Sequence, residues 1–229
     1  MAYLFKTFLY HPLEQALVWL YNTVAFHDLG LAIILLTVAV RIVLYPLFYK
    51  AFKNQTMMQK IQPHIKQIQH DHKENKEKQA QALMALYKEH NINPFSGFLM
   101  LLVQLPILIA LYKLFVSGIP AELNPISFGL LNLQTRNIVM IGLAAIAQYF
   151  QGRLSLPPNI KTDDSTTSRV ARQMVFMGPV LTLVILYTTP AAVGLYWLVS
   201  SIFSLGQQII INKHVAHHGE SQTNSSKNA

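Results

Sequence analysis

The stretch LLTVAVRIVLYPL, residues 35–47, places Arg41 inside a run of apolar side chains. A guanidinium keeps its charge at any ordinary pH, so at depth it needs water, a partner or an anion to attract. Placing one at the centre of a lipid-crossing helix costs on the order of 3 kcal/mol. Thr37 lies one turn away on the same helical face. Three other apolar stretches carry polar residues that could share a cavity with this charge. They are Gln104 on one; Gln148 and Gln151 on the next; and Trp197, Ser200, Ser201, Ser204, Gln207 and Gln208 on the last, at offsets of 3, 4, 7, 10 and 11 down one helical face. Counted by helical rise, Gln104, Gln148 and Ser204 fall level with Arg41, about 18 Å from the far end of its stretch. Plain readings exist for each part. Arg41 could snorkel to the surface near Lys50, and Ser and Gln could be interhelical glue worth about 0.6 kcal/mol apiece. Glue accounts for any one residue; an arginine plus polar residues on three helices points to a hydrated cavity.

Binding and hydration are what these residue types offer. The sequence contains no H-E-x-x-H, no G-x-S-x-G elbow, no Walker loop and no pair of acidic residues within an apolar stretch. There is no cysteine. His70, Asp71 and His72 sit in a polar segment that supports at most an adventitious metal contact. Asp28 stands just before the first apolar stretch and reads as its N-cap. We therefore expect no catalytic residue, no metal and no cofactor, and the protein is not read as an enzyme.

The elements that must position these residues are helices. Of 229 residues, 52% are hydrophobic and 12% charged, a balance that a water-soluble globule does not have. The net charge of +8 could suit a nucleic-acid binder, but its distribution favours a membrane. Five stretches, 29–49, 96–117, 137–154, 173–189 and 192–212, are about as long and apolar as a spanning helix. Segment 50–95 holds eight of the eighteen basic residues, which makes it cytoplasmic. The N-terminus is then outside, 118–136 is an outer loop, and 153–172 and the C-terminus are cytoplasmic. Residues 1–28 read as an amphipathic helix along the outer surface, with Leu13, Leu17, Leu20 and Val24 on its apolar face and Trp19 and Tyr21 at headgroup level. Within 50–95, one seam of Met58, Ile61, Ile65 and Ile68 and another of Ala80, Leu83 and Tyr87 predict a two-helix hairpin. Its basic outside, including Lys60, Lys66, Lys73, Lys76 and Lys78, would make first contact with a partner. The polar tail, 213–229, is expected to be disordered. The predicted class is an all-α polytopic membrane protein.

Several stretches together resemble the YidC/Oxa/Alb family of membrane protein insertases. They are VRIVLYPL (40–47), MMQKIQPHIKQIQ with ALMALYKEHNINP, NPFSGFLMLLVQLPILIALY (93–112) and PAAVGLYWLVSSIFSLGQQ (190–208). Their order and spacing carry the likeness from about residue 12 to 213. The resemblance implies a five-helix core in a bacterial inner membrane, with a polar groove open to the cytoplasm and closed outside. It implies that nascent hydrophobic segments enter the groove and leave sideways into lipid. Partners would be nascent membrane proteins, the lipid bilayer, and the ribosome, signal-recognition machinery and Sec translocon. Neither nucleic acid nor a small-molecule substrate is implied. Arg41 would be the charge of the groove, lined also by Trp197 and by Gln148 or Gln151, which the motif does not separate. With no large extracytoplasmic domain and no lipoprotein cysteine, the chain reads as a short form. A rival reading from another class is a small transporter or channel with Arg41 as an anion site, which would need a polar path reaching both faces.

Overall fold

The computed structural model describes residues 2–93, 95–116, 123–156 and 166–225. Parts of the loops 118–136 and 153–172 and the last four residues lie outside that set. The chain begins with α1 (Ala2–Phe5), a π-helical turn (Lys6–Tyr10) and α2 (His11–Thr23), which run on from one another. There follow α3 (Leu29–Val43), α4 (Tyr45–Lys60), α5 (Gln62–Asp71), α6 (Lys76–Glu89) and α7 (Ser96–Val116). After α7 comes a two-stranded antiparallel ribbon, β1 (Ile126–Ser127) and β2 (Leu131–Asn132). The last three helices are α8 (Ile138–Leu154), α9 (Thr166–Tyr187) and α10 (Ala191–Ser225).

Sequence reasoning ran 29–49 as one helix, and that is corrected. The chain turns by 67° between α3 and α4. Pro46 is the reason: it has no N–H to donate, and its ring displaces the carbonyl four residues earlier. Leu44 closes α3 by donating to Val40 at 3.0 Å, then accepts from Phe48 at 3.1 Å to open α4. Arg41 consequently lies in the last turn of α3, where the carbonyl end of the helix dipole favours a cation. The same device recurs at Ile61, with Pro63 in the first turn of α5. The backbone of α10 is helical through Ser225, past the boundary at 212.

The main core joins α2, α3, α7, α8 and α10, with Leu17, Leu29, Ile33, Leu133 and Val193 among its most buried side chains. Tyr21 belongs to it as well, being one turn from Leu17, and does not sit at the surface beside the exposed Trp19. Val24, assigned to the apolar face of α2, is exposed. A second cluster, Phe48, Phe52 and Ile211, fastens α4 to α10. The third binds the hairpin to itself through Ile61, Ile65, Leu86 and Ile92, flanked by Met58, Ile68, Leu83 and Tyr87.

The outer faces of α8 and α9 are apolar. Ile138, Val139, Leu143, Ile146 and Phe150 of α8 and Met174, Phe176, Met177, Val180, Leu181 and Val184 of α9 are exposed. Apolar surface that continuous suits hydrocarbon and not water. Among the described residues, Ala191–His214 of α10 is long and apolar enough to cross a membrane alone, and the bent pair α3 and α4 could form a second crossing. Gln104–Val116, Ile138–Leu154 and Arg172–Tyr187 are shorter apolar helical stretches.

Candidate functional site

Arg41 is 7% exposed and is held between α10 and α4. Its Nε donates to the Ser200 hydroxyl at 3.4 Å, and its Cζ lies 4.7 Å from the centre of the Phe48 ring. The bend at Leu44 is what brings Phe48 back over the guanidinium, four helical positions beyond the turn. The ring face attracts the cation. Among the described residues no carboxylate forms an ion pair with Arg41; the contacts of His11 with Glu14 and of His70 with Asp71 lie elsewhere. A guanidinium has five N–H donors, so most of its capacity is left over.

Polar side chains continue along one face of α10. Tyr196, 3% exposed, accepts a short hydrogen bond from the Gln104 amide of α7. Ser201 donates to the Gln148 carbonyl oxygen of α8 at 3.2 Å. Ser204 is buried. Gln207 donates to the Tyr45 carbonyl at 3.3 Å, and Gln208 to the Ser155 hydroxyl at 3.2 Å. The amide oxygens of Gln207 and Gln208 are buried, and no donor among the described residues reaches them. Buried polar atoms of that kind are uncommon.

The structure thus joins Arg41, Gln104, Gln148, Ser200, Ser201 and Gln208 to one column of polar groups, and settles which glutamine meets α10. Gln148 does, packed against Gly178 of α9, where a Cβ would come within 3.2 Å of its Cγ. Gln151 is half-buried one turn on, its backbone carbonyl accepting from Ser155. Helical counting put Ser204 level with Arg41; the hydrogen bond goes instead to Ser200, one turn earlier, because α3 ends at the bend and the side chain reaches from its last turn. Thr37 is 2% exposed and returns its hydroxyl to the Ile33 carbonyl at 2.6 Å, so its hydrogen satisfies its own helix. Trp197 is half-buried against the main core. Sequence reasoning missed Phe48 and Tyr196. The signal for Phe48 was the proline two residues before it, which marks the turn.

The lysines named on the hairpin belong to another part of the molecule. Lys60, Lys73, Lys76 and Lys78 are exposed and Lys66 is half-buried. Asn75 caps α6 by accepting from the Lys78 backbone at 3.0 Å, which fixes the tip.

The opposite end of α3 is built differently. Asp28 caps the helix by accepting from the Leu31 N–H at 2.9 Å. It also accepts from the Ser127 hydroxyl and, at 2.6 Å, from the Phe128 N–H of the ribbon. Ser127 in turn accepts from Gly30 N–H at 2.8 Å. Burial pushes the Asp28 carboxyl up, but these hydrogen bonds outweigh it and hold the group below its ordinary value. Nearby, the first N–H groups of α10 donate to Thr135 and Leu133 at 2.9 and 3.0 Å, so its free end is satisfied.

A helical protein with so apolar an exterior along α8 and α9 belongs to the class of membrane proteins. The 60Kd inner membrane protein family matches residues 19–218, and the chain belongs to that family. It is 30% identical over 222 residues to the membrane protein insertase YidC of Syntrophobacter fumaroxidans, covering 91% of this chain and 38% of that protein. The insertase YidC of Magnetococcus marinus is 32% identical over 212 residues, with coverage of 92% and 36%. That of Francisella tularensis subsp. novicida is 31% identical over 207 residues, with 88% and 36%. The chain spans little more than a third of the length of these relatives.

Proposed function

We propose that this chain forms the membrane-embedded core of an insertase, which takes nascent hydrophobic segments from the cytoplasm into a hydrated groove and releases them laterally into lipid. The observation that carries it is Arg41: buried, placed by Ser200 and Phe48, unpaired with any carboxylate among the described residues, and set beside a polar column. In this reading five segments cross the membrane, α3 with α4 making one crossing, with the N-terminus outside and the C-terminus in the cytoplasm. No bond is made or broken. Polar walls admit water and shorten the hydrocarbon barrier, and Arg41 attracts acidic residues in the segment a substrate must carry across. Once across, an apolar helix gains more from lipid than from the groove and leaves. The hairpin lysines meet the nascent chain, the ribosome, signal-recognition machinery or the Sec translocon. The family membership supports this reading, and so does the polar column on α10.

A photoreactive amino acid at Gln148 or Trp197, in inner-membrane vesicles carrying a stalled nascent membrane protein, tests groove and function together. Crosslinks to the nascent chain from these positions, and none from exposed Val184 on the outer face of α9, are expected. Crosslinks confined to lipid, with solute flux from purified protein in liposomes, would favour a transporter instead.

A further inference from the structure

The two loops that meet at Asp28 end in apolar side chains. Phe26, in the turn between α2 and α3, is 89% exposed, and Leu130, at the tip of the ribbon, is 95% exposed. Ile126 and Phe128 are exposed beside it. The loops are held in one arrangement: Asp28 accepts from the Phe128 N–H at 2.6 Å, and the Tyr21 hydroxyl accepts from the Asn124 N–H at 3.1 Å. Phe128 also lies against Gly30, where a Cβ would come within 2.9 Å of its ring. Both tips therefore stand on one fixed platform at the Asp28 end of α3. Phe26 and Phe128 have φ of 50° and 51°, a left-handed conformation that bulky residues seldom adopt. In the ribbon, the Leu130 N–H donates to the Ser127 carbonyl and closes a turn with positive φ at both Phe128 and Gly129, where Asn-Gly would be the relaxed choice. Strain of this kind gathers at binding surfaces.

Exposed apolar side chains of this size mark a protein or a membrane contact, and charge and continuity choose between them. From Gln15 to His27 and from Leu123 to Thr135 the chain has no Asp, Glu, Lys or Arg. Asp28, between the two tips, is taken up by its hydrogen bonds to Leu31, Ser127 and Phe128. The platform thus offers no charge for a protein partner to complement. Ile138 and Val139 open α8 just after the ribbon and are exposed, so the tips run on into the apolar outer face of that helix. Between them, the Arg136 guanidinium lies 4.2 Å from the Tyr187 ring, a cation and an aromatic suited to headgroup level. The ribbon backbone is satisfied from within, as approach to hydrocarbon requires: the N–H groups of Ile126 and Gln134 donate to the Asn124 and Asn132 side chains, and that of Leu133 to the Pro125 carbonyl, each at 2.9 Å. We infer that Phe26, Phe128 and Leu130 dip into the outer leaflet of the surrounding bilayer, with their side chains at the acyl boundary and the backbone at headgroup level. Arg41 stands about 20 Å further along the same helix, so this mooring sets the depth of the cation. The inference rests on the membrane placement proposed above, not on insertase activity.

The test is a depth measurement on the full chain in vesicles of phosphatidylethanolamine and phosphatidylglycerol. The chain has no cysteine, so Phe26→Cys, Leu130→Cys, Val184→Cys and Lys76→Cys each accept a single nitroxide label. All four positions are exposed, so the substitutions remove no core packing, and thermal unfolding in detergent checks that each variant is folded. Collision of the label with oxygen, which concentrates in lipid, is compared with collision with a water-soluble nickel chelate present on both sides of the membrane. The ratio of oxygen to nickel collisions should be several-fold higher at 26 and 130 than at Lys76 on the hairpin tip, and lower than at Val184 on the outer face of α9. Labels at 26 and 130 as open to nickel as the one at 76 would overturn the inference. Labels there shielded from both reagents would overturn it too, by assigning the tips to a second copy of the chain. A label at 184 open to nickel would instead be a failure of the membrane placement, read at a position outside the two tips.

Discussion

Asp28 and Arg41 stand at opposite ends of α3 and are treated in opposite ways. Asp28 receives the Ser127 hydroxyl and the N–H groups of Leu31 and Phe128, so its charge is used up in fastening the β-ribbon to the helix. Arg41 has one long hydrogen bond of 3.4 Å and one aromatic face. Below it, two buried glutamine oxygens lack protein donors among the described residues. A charge that holds a fold together is saturated by fixed partners; under the proposed function, Arg41 keeps spare donors for a succession of substrates. The saturated end is also where α10 is capped and Leu133 and Ser127 are fully buried. Rigidity at one end of α3 positions the spare capacity at the other.

The sharpest way to break the contrast is at Gly30. A Cβ there collides with the Ser127 hydroxyl and comes within 2.9 Å of the Phe128 ring, so Gly30→Ala must push the ribbon off α3. Overpacking of this kind costs about 1–3 kcal/mol, and thermal unfolding in detergent should show a drop of several degrees. An unchanged midpoint would mean that the ribbon is not fixed as described.

Asp28→Asn is milder, costing about 1–2 kcal/mol near neutral pH because a charged acceptor of several donors is replaced by an amide. The pH dependence carries the sign. Since the folded carboxyl titrates below its ordinary value, its contribution is complete above the unfolded value of about 3.9 and is lost as pH falls through the folded one. Stability of the wild type should therefore converge on that of Asp28→Asn below about pH 3.9 and separate from it above. Parallel curves across that range would contradict the account.

The smallest effect concerns Phe48 and Phe52, neighbours in one buried cluster, of which Phe48 alone faces Arg41. Phe48→Leu should cost about 0.5–2 kcal/mol more than Phe52→Leu, and the excess should vanish when Arg41 is replaced by Met. Urea unfolding in micelles supplies the cycle; an excess that survives without the guanidinium would assign it to packing.

Legibility in the sequence followed the physics of each signal. Apolar length and the 3-and-4 spacing of Ile61 and Ile65 are local properties, and the helices and the hairpin seam could be read from them. Asp28 as a cap was equally local. The bend after Arg41 also had a local cause in Pro46, but hydropathy averages across a proline, so 29–49 looked like one element. Contacts across helices were the illegible part. Counting rise along separate helices aligned Ser204 with Arg41, while the bend and the reach of the arginine side chain select Ser200. The ribbon at 126–132 is two residues per strand and too short to carry any periodicity.

The central claim is that Arg41 acts by attraction from a wet groove and not as one half of a fixed pair. The direct measurement is insertion, in reconstituted vesicles, of a substrate whose translocated segment carries acidic residues, compared across wild type, Arg41→Lys and Arg41→Ala. The account predicts that lysine retains much of the insertion and alanine loses it, with a neutral-segment substrate far less affected. Undiminished insertion of the acidic substrate by Arg41→Ala would contradict it.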